Sequence, residues 1–353
     1  MHKVSIVVTR PGFAEAAVAE LAARWKISAR ALGDRVVETS AEAKLPAVRE
    51  TVFVRQTLSR ATNVASPGAN TKPEEIARKI ATMIAAAAER ANRSGRPWTL
   101  HAFAVDHDAA LAASARIAKD VIRALEKTAA GLAKRRVTPD VFAGGDQAGF
   151  VVQILAADVD DIWVAINAPS SGMELAVGGV TRMRRVSGTP SRSGSKLEEA
   201  LAFANLEPKK DETAVDLGAA PGGWSIVLAR RGVSVIAVDK ASLEIPTALK
   251  ARVTHETANG LKYRPLAPVD WLCCDMVIDA RKSLDVLQAW CREDLMRGFV
   301  FNLKFSPAKA WSIAEEALRV REELLGASGG GWRQIEVRQL FHDRNEITMI
   351  GRR

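Results

Sequence analysis

Four charged side chains stand at the ends of apolar segments in the second half of the chain. Lys196 opens the helical stretch KLEEALAFANL, Asp275 closes the strand-like VDWLCCDMV, Lys304 ends GFVFNLKF, and Glu346 begins NEITMIG. Two amines and two carboxylates at one place form a set that can remove a proton from a hydroxyl. A lysine accepts a proton only when neutral, and an unperturbed one holds its proton to about pH 10.4. Neighbouring cations and exclusion of water favour the neutral amine, whereas carboxylates oppose it but can orient it. The set converges only if the elements bring it together. In a doubly wound sheet, ligands sit beyond the carboxyl ends of the parallel strands. Asp275 and Lys304 then face that edge, and a last strand running the opposite way brings its beginning, at Glu346, to the same edge.

A second feature supplies the reacting group. In VDLGAAPGGWSIVLARRGVSVIAVDK the turn after the first strand is Gly218-Ala219-Ala220-Pro221-Gly222-Gly223. A pyrophosphate cradle wants G-x-G-x-x-G with free backbone N–H groups. Here Ala220 replaces a glycine and Pro221 has no N–H to donate. No Gly-Lys-Ser/Thr follows, so a phosphate loop of the Walker kind is excluded as well. Asp239 ends the next strand about 20 residues on, where a carboxylate reaches an adenosine ribose diol. An adenosyl group without phosphates, lying close to Gly218, Ala220, Pro221, Gly222 and Gly223, points to S-adenosylmethionine. The acceptor side is narrowed by what is missing. Asp275-Met276-Val277 contains neither the prolines nor the aromatic residue with which amino-methylating enzymes grip a base. Cys273 and Cys274 lie inside an apolar strand and read as core rather than as nucleophiles for pyrimidine C5.

The elements that must position these residues follow the same logic. From residue 194 to the end, strands AVDLG, VSVIAVD, ARVTHE, VDWLCCDMV and GFVFNLKF are predicted to alternate with helices in a parallel, Rossmann-like sheet. WRQIEVRQLF and NEITMIG are separated by HDR alone, too short for a crossover, so they pair as an antiparallel hairpin. The fold class is α/β, a seven-stranded mostly parallel sheet with an antiparallel last strand, preceded by an α+β unit over residues 1–168. That unit contains the helical patterns PGFAEAAVAELAARW, KPEEIARKIATMIAAAAERANRSG and LAASARIAKDVIRALEKTAAGLAKRR. Its histidines, His2, His101 and His107, do not have metal-ligand spacing, and the reading calls for no metal. Residues 169–193, rich in Gly, Ser and Arg, read as a connector.

Composition limits the partners. The formal net charge of the 353 residues is +9, distributed as +5 over residues 1–168, +3 over 169–195 and +1 over the rest. The positive excess lies away from the second half, which suits a polyanion docked on the first half and connector. Arg182, Arg184, Arg185 and Arg192 are the candidate RNA-binding residues, touching phosphates rather than bases. No run of about 18 uncharged apolar residues suggests a membrane span, and the N-terminus does not have the pattern of a signal peptide. Three cysteines, two of them adjacent, make no disulfide framework, so a reducing cytoplasm is expected.

The set Lys196–Asp275–Lys304–Glu346 resembles the K-D-K-E tetrad of FtsJ-like RNA ribose 2′-O-methyltransferases. SRSGSKLEEA, DLGAAPGGW, DWLCCDMV, FNLKF and HDRNEITMIGRR resemble the bacterial RlmM family in particular. TVFVRQ and the pattern to residue 168 are similar, more diffusely, to that family's THUMP-containing RNA-binding region. The resemblance implies methylation of a cytidine ribose in 23S ribosomal RNA, on RNA not yet fully assembled, by a monomer. It also implies cofactor contacts from Ser193, from Ala220 to Gly223, and from Asp239 and Asp275, with Lys304 as the base. Where the family has an aspartate before Gly-(aromatic)-Lys, this chain has Asn259, whose amide oxygen can still accept from the adenine amine. Two rivals stay open. One is a ribose methyltransferase of another RNA such as tRNA. The other is an RNA-binding assembly factor with a vestigial methyltransferase domain.

Overall fold

The computed structural model describes residues 3–90, 95–104, 107–143, 149–169, 173–180, 193–326 and 331–353. His2, Arg182, Arg184, Arg185 and Arg192 lie outside the described residues. The chain forms two compact units, Met1–Thr181 and Arg182–Arg353.

The first unit is built on β1 (Val4–Val8), β2 (Ala29–Ala31), β3 (Val36–Ser40), β4 (Gln56–Ala65), β5 (Trp98–Ala104), β6 (Phe150–Ala156) and β7 (Ile162–Asn167). They form one seven-stranded sheet in the order β2-β3-β1-β4-β7-β6-β5, all neighbours antiparallel except β5 and β6. Its helices are α1 (Ala14–Trp25), α2 (Pro73–Arg90), α3 (Asp108–Thr128), α4 (Ala130–Ala133) and α5 (Pro139–Ala143). In α3, Ala110, Ile117, Val121 and Leu125 recur at helical spacing, are buried, and join α2 and the sheet in one core. The sequence pattern predicts one helix through Arg136. The helix instead breaks at Ala129, whose φ of −150° and ψ of 57° are not helical. His107 and His101 have structural roles. The His107 Nδ1 caps α3 by accepting from the Ala110 N–H, and His101 is buried in β5, where burial pushes its pKa down to about 4. Part of the expected connector is tied into this unit, because the Gln56 side chain donates to the Glu174 carbonyl and accepts from the Glu174 N–H.

The second unit starts with α6 (Gly194–Ala204), followed by β8 (Thr213–Leu217), α7 (Gly223–Arg230), β9 (Ser234–Val238), β10 (Val253–Glu256) and β11 (Val269–Cys274). It continues with α8 (Ala280–Arg292), β12 (Met296–Lys304), α9 (Ala310–Gly326), β13 (Gln334–Arg338) and β14 (Glu346–Arg352). The sheet order is β10-β9-β8-β11-β12-β14-β13. The first five strands are parallel, and β14 lies antiparallel between β12 and β13. The chain moves outward from β8 to β10 and then returns to β11 on the other side of β8. The switch point therefore falls between the carboxyl ends of β8 and β11, where ligands bind in such sheets. Residues of α6 and α7, among them Leu197, Leu201, Trp224 and Val227, bury Trp271, Cys273 and Val300 in one core. The alternating residues Leu272, Phe299 and Phe301 point to the opposite face, where α8 lies against β12 and α9 against β13.

The expected helix between every pair of parallel strands is not found. Only a 3-10 turn, Thr247–Arg252, joins β9 to β10, after Pro246. No helix joins β10 to β11, where Gly260, Pro265 and Pro268 interrupt the chain. Among the described residues no helix is long and apolar enough to cross a membrane.

Candidate active site

The four charged residues meet. Lys304 and Glu346 face each other across the β12–β14 ladder. Asp275 is the residue after β11, and Lys196 lies in the first turn of α6. The Lys196 Nζ is 2.5 Å from the Glu346 Oε1 and 3.6 Å from the Asp275 Oδ1. The Lys304 Nζ donates to the Asp275 Oδ1 and, at 3.0 Å, to the Asp275 carbonyl, and lies 3.4 Å from the Glu346 Oε2. Each lysine thus touches both carboxylates. The side chains are 5–21% exposed, Glu346 least, so the cluster is partly dried but open to a substrate.

Burial disfavours the charged form of Lys196, but the carboxylates of Asp275 and Glu346 outweigh it, and its pKa lies above the usual lysine value. Lys196 is therefore a fixed cation that offsets the two carboxylates.

Residues beneath the cluster were not singled out from the sequence. The Asn302 Nδ2 donates to the Asp275 Oδ1 at 3.0 Å, and the Thr348 Oγ1 donates to the Asn302 Oδ1 at 2.8 Å. Asn302 and Thr348 are paired in the ladder two residues from Lys304 and Glu346, hence on the same face. Glu199, one turn along α6 from Lys196, accepts from the backbone N–H groups of Phe341 and His342 at 2.6 and 2.9 Å. It anchors the turn that leads into β14. Polar residues at alternate positions of an otherwise apolar strand were the available signal.

Beside the cluster lies a cleft of about 340 Å³, bordered by Gly218, Ala220, Asp239, Asn259 and Asp275 among others. That volume is within the range of small-molecule sites, about 300–1,000 Å³. The Asp239 Oδ2 accepts from the Ala220 N–H at 3.0 Å and its Oδ1 from the Ala241 N–H at 2.9 Å. The carboxylate fastens the glycine turn to the end of β9 and keeps lone pairs for a diol. The Asn259 Oδ1 accepts from the Leu261 N–H, so its oxygen has one lone pair left for a ligand.

Ser193, Pro221, Gly222 and Gly223 do not border the cleft. Ser193 receives the Trp224 Nε1–H at its carbonyl, Pro221 receives the Glu244 N–H, and Gly222 caps α7 with φ +118°. They shape the turn. Lys240, Gly260, Met276, Val277 and Ile278 border the cleft and were not foreseen. Cys273 and Cys274 are fully buried. Burial raises both thiols, Cys274 to about 12, so neither supplies a thiolate.

Residues 189–331 match the FtsJ-like methyltransferase family model. The ribosomal RNA large subunit methyltransferase M of Xanthomonas oryzae is 36% identical over 77% of this chain and 76% of its own length. The chain belongs to the ribosomal RNA large subunit methyltransferase M family. The members from Tolumonas auensis and Marinomonas are 36% and 40% identical over 61% and 48% of this chain. Those two matches span 59% and 50% of the relatives' own lengths.

For this member of the family, the cleft depends on one glycine in particular. Gly218 has φ +76°, and a Cβ there would stand 2.4 Å from the Met276 Cγ. Gly218→Ala should lower stability by about 1–2 kcal/mol through the left-handed backbone alone, and should push Met276 into the cleft. A lower melting temperature with weaker cofactor binding in calorimetry is the expected result. An alanine variant that binds as tightly as the parent would show that the turn has room to spare.

Proposed function

We propose that the chain is an S-adenosylmethionine-dependent methyltransferase acting on a ribose 2′-oxygen, at a cytidine of 23S ribosomal RNA. The observation that carries the reading is the convergence of Lys196, Asp275, Lys304 and Glu346 beside the switch-point cleft. The cleft suits the cofactor. It offers a carboxylate for a ribose diol and a close-approaching glycine turn in which Pro221 leaves no phosphate cradle. In it, Gly218, Ala220, Asp239, Asn259 and Asp275 would hold S-adenosylmethionine, with Ser193, Pro221, Gly222 and Gly223 supporting the turn. Bound there, the cofactor supplies an electrophilic methyl group on a cationic sulfur.

The chain's own groups do the rest. Lys304, as the neutral amine, takes the 2′-hydroxyl proton while keeping N–H bonds to Asp275. Asp275 and Glu346 aim the amine, and Lys196 holds the opposite charge that keeps two carboxylates together in a half-dried site. The buried thiols argue against a covalent route through cysteine. Transfer from labelled S-adenosylmethionine to 23S RNA from a strain lacking the modification tests the reading. The product is expected to be a 2′-O-methyl nucleoside whose linkage resists alkali. A base-methylated product, or transfer to tRNA alone, would overturn it.

The N-terminal unit, in this reading, is a THUMP-like RNA-binding region acting with the basic connector on RNA that is not fully assembled. The protein works as a monomer in the cytoplasm. Replacing Arg182, Arg184 and Arg185 together should weaken RNA binding and flatten its salt dependence by up to about three units of slope, since each neutralised phosphate contributes about 0.9. Cofactor affinity should stay the same. An unmoved slope would make these arginines a solvated linker.

A further inference from the structure

Below the four charged residues, hydrogen bonds run inward from Asp275 to Asn302, to Thr348 and finally to Asp343, a carboxyl with no exposed surface. The direction of these bonds is fixed by what each atom can do. Asp275, tied to two amines, accepts at Oδ1, so Asn302 must turn its NH₂ toward it and its carbonyl oxygen toward Thr348. That oxygen only accepts, and Thr348 has a single hydroxyl proton, which is thereby committed at 2.8 Å. The remaining contacts, 3.1 and 3.3 Å from the Thr348 Oγ1 to the Asp343 carboxyl oxygens, then need a proton from the Asp343 side.

We propose that Asp343 is held as a neutral carboxylic acid and, through Thr348 and Asn302, acts as a positioning residue that sets the orientation of Asp275 and hence of the Lys304 amine. The surroundings agree. Burial raises the Asp343 pKa well above the usual carboxylate value, and the facing carboxylates of Glu346 and Glu199 add to this. The Leu340 N–H, which donates to the Asp343 Oδ2 at 2.8 Å, and the Lys196 ammonium oppose it without reversing it. Were Asp343 ionised, Thr348 would be drawn to it. The Asn302 Oδ1 would then lose its donor, and the amide would hold Asp275 less firmly.

The inference rests on the methyl-transfer reading, and its test is steady-state transfer from labelled S-adenosylmethionine to 23S RNA by the full chain. Thr348→Val, which keeps the shape and removes the hydroxyl, should lower kcat roughly fivefold to hundredfold, as when a buried polar group is left without its partner. KM for both substrates should stay in place. Thr348→Ser should restore most of the loss. Asp343→Ala should behave like the valine variant, and Asp343→Asn should recover most of its kcat, because a neutral amide can both donate to Thr348 and accept from Leu340. A melting curve and cofactor titration accompany each variant. If Asp343→Ala does not fold, the isosteric Thr348 pair decides. Wild-type kcat in Thr348→Val, or an Asp343→Asn variant as poor as the alanine, would overturn the proposal while leaving the function standing. No transfer by the unaltered chain would overturn both.

Discussion

Lys304→Ala is expected to lower methyl transfer by 10²- to 10⁴-fold, the usual loss when a general base is removed. Binding of cofactor and RNA should change by no more than a few-fold. The fold should survive the change, because Lys304 is the last residue of β12 and its side chain meets the other charged groups rather than the apolar core. The ladder to β14 is made by backbone and persists with any side chain. Lys196 remains within 3.6 Å of Asp275 and 2.5 Å of Glu346, so the two carboxylates are not left without a cation. That separates the role of Lys304 from simple charge balance. Lys304→Arg is the sharper variant. Arginine keeps the positive charge and can pair with Asp275, but it stays protonated at any usable pH. It should fail nearly as badly as alanine in single-turnover assays. Near-normal turnover by the arginine variant would reduce Lys304 to an electrostatic neighbour, and the proton would need another acceptor.

The convergence of Lys196, Asp275, Lys304 and Glu346 was legible in the sequence because each lies at an element's end. A doubly wound sheet leaves little freedom in where strand ends go. The antiparallel pairing of β13 and β14 was legible from the short gap alone, although β13 stops earlier than the apolar pattern does. Leu340 and Asp343 are drawn into a turn in which the Asp343 side chain accepts from the Leu340 N–H. Asn302, Thr348 and Asp343 were not legible as a group. Their burial comes from α6 and the β12–β14 pairing together, and one polar residue in an apolar run gives no sign of its partner. Nor did the pattern reveal that β9 and β10 are joined without an α-helix, since Pro246 and a short 3-10 turn carry no period. The cofactor cleft was half visible. Asp239 and the glycine turn could be read, but Met276, Val277 and Ile278 could not, because they leave the strand that places them and follow no motif.

Asp239→Ala should weaken S-adenosylmethionine binding by about 1.5–3 kcal/mol, the worth of a hydrogen bond to a charged group, or roughly tenfold to hundredfold in Kd. The structure adds a reason for the upper end. Asp239 also receives the Ala220 and Ala241 N–H groups, so alanine removes the acceptor for the ribose diol and the tie that holds the glycine turn at once. Two variants separate these roles. Asp239→Asn keeps one carbonyl oxygen for a backbone N–H but sets an NH₂ toward the other. It should retain most of the melting temperature and still lose affinity. Asp239→Glu keeps the charge but lengthens the reach, and should disturb the turn and the affinity together. Calorimetric titration of each variant, with a melting curve beside it, reads both effects. If Asp239→Ala binds S-adenosylmethionine as tightly as the parent, the ribose diol is held elsewhere. The carboxylate at the end of β9 would then serve only the turn.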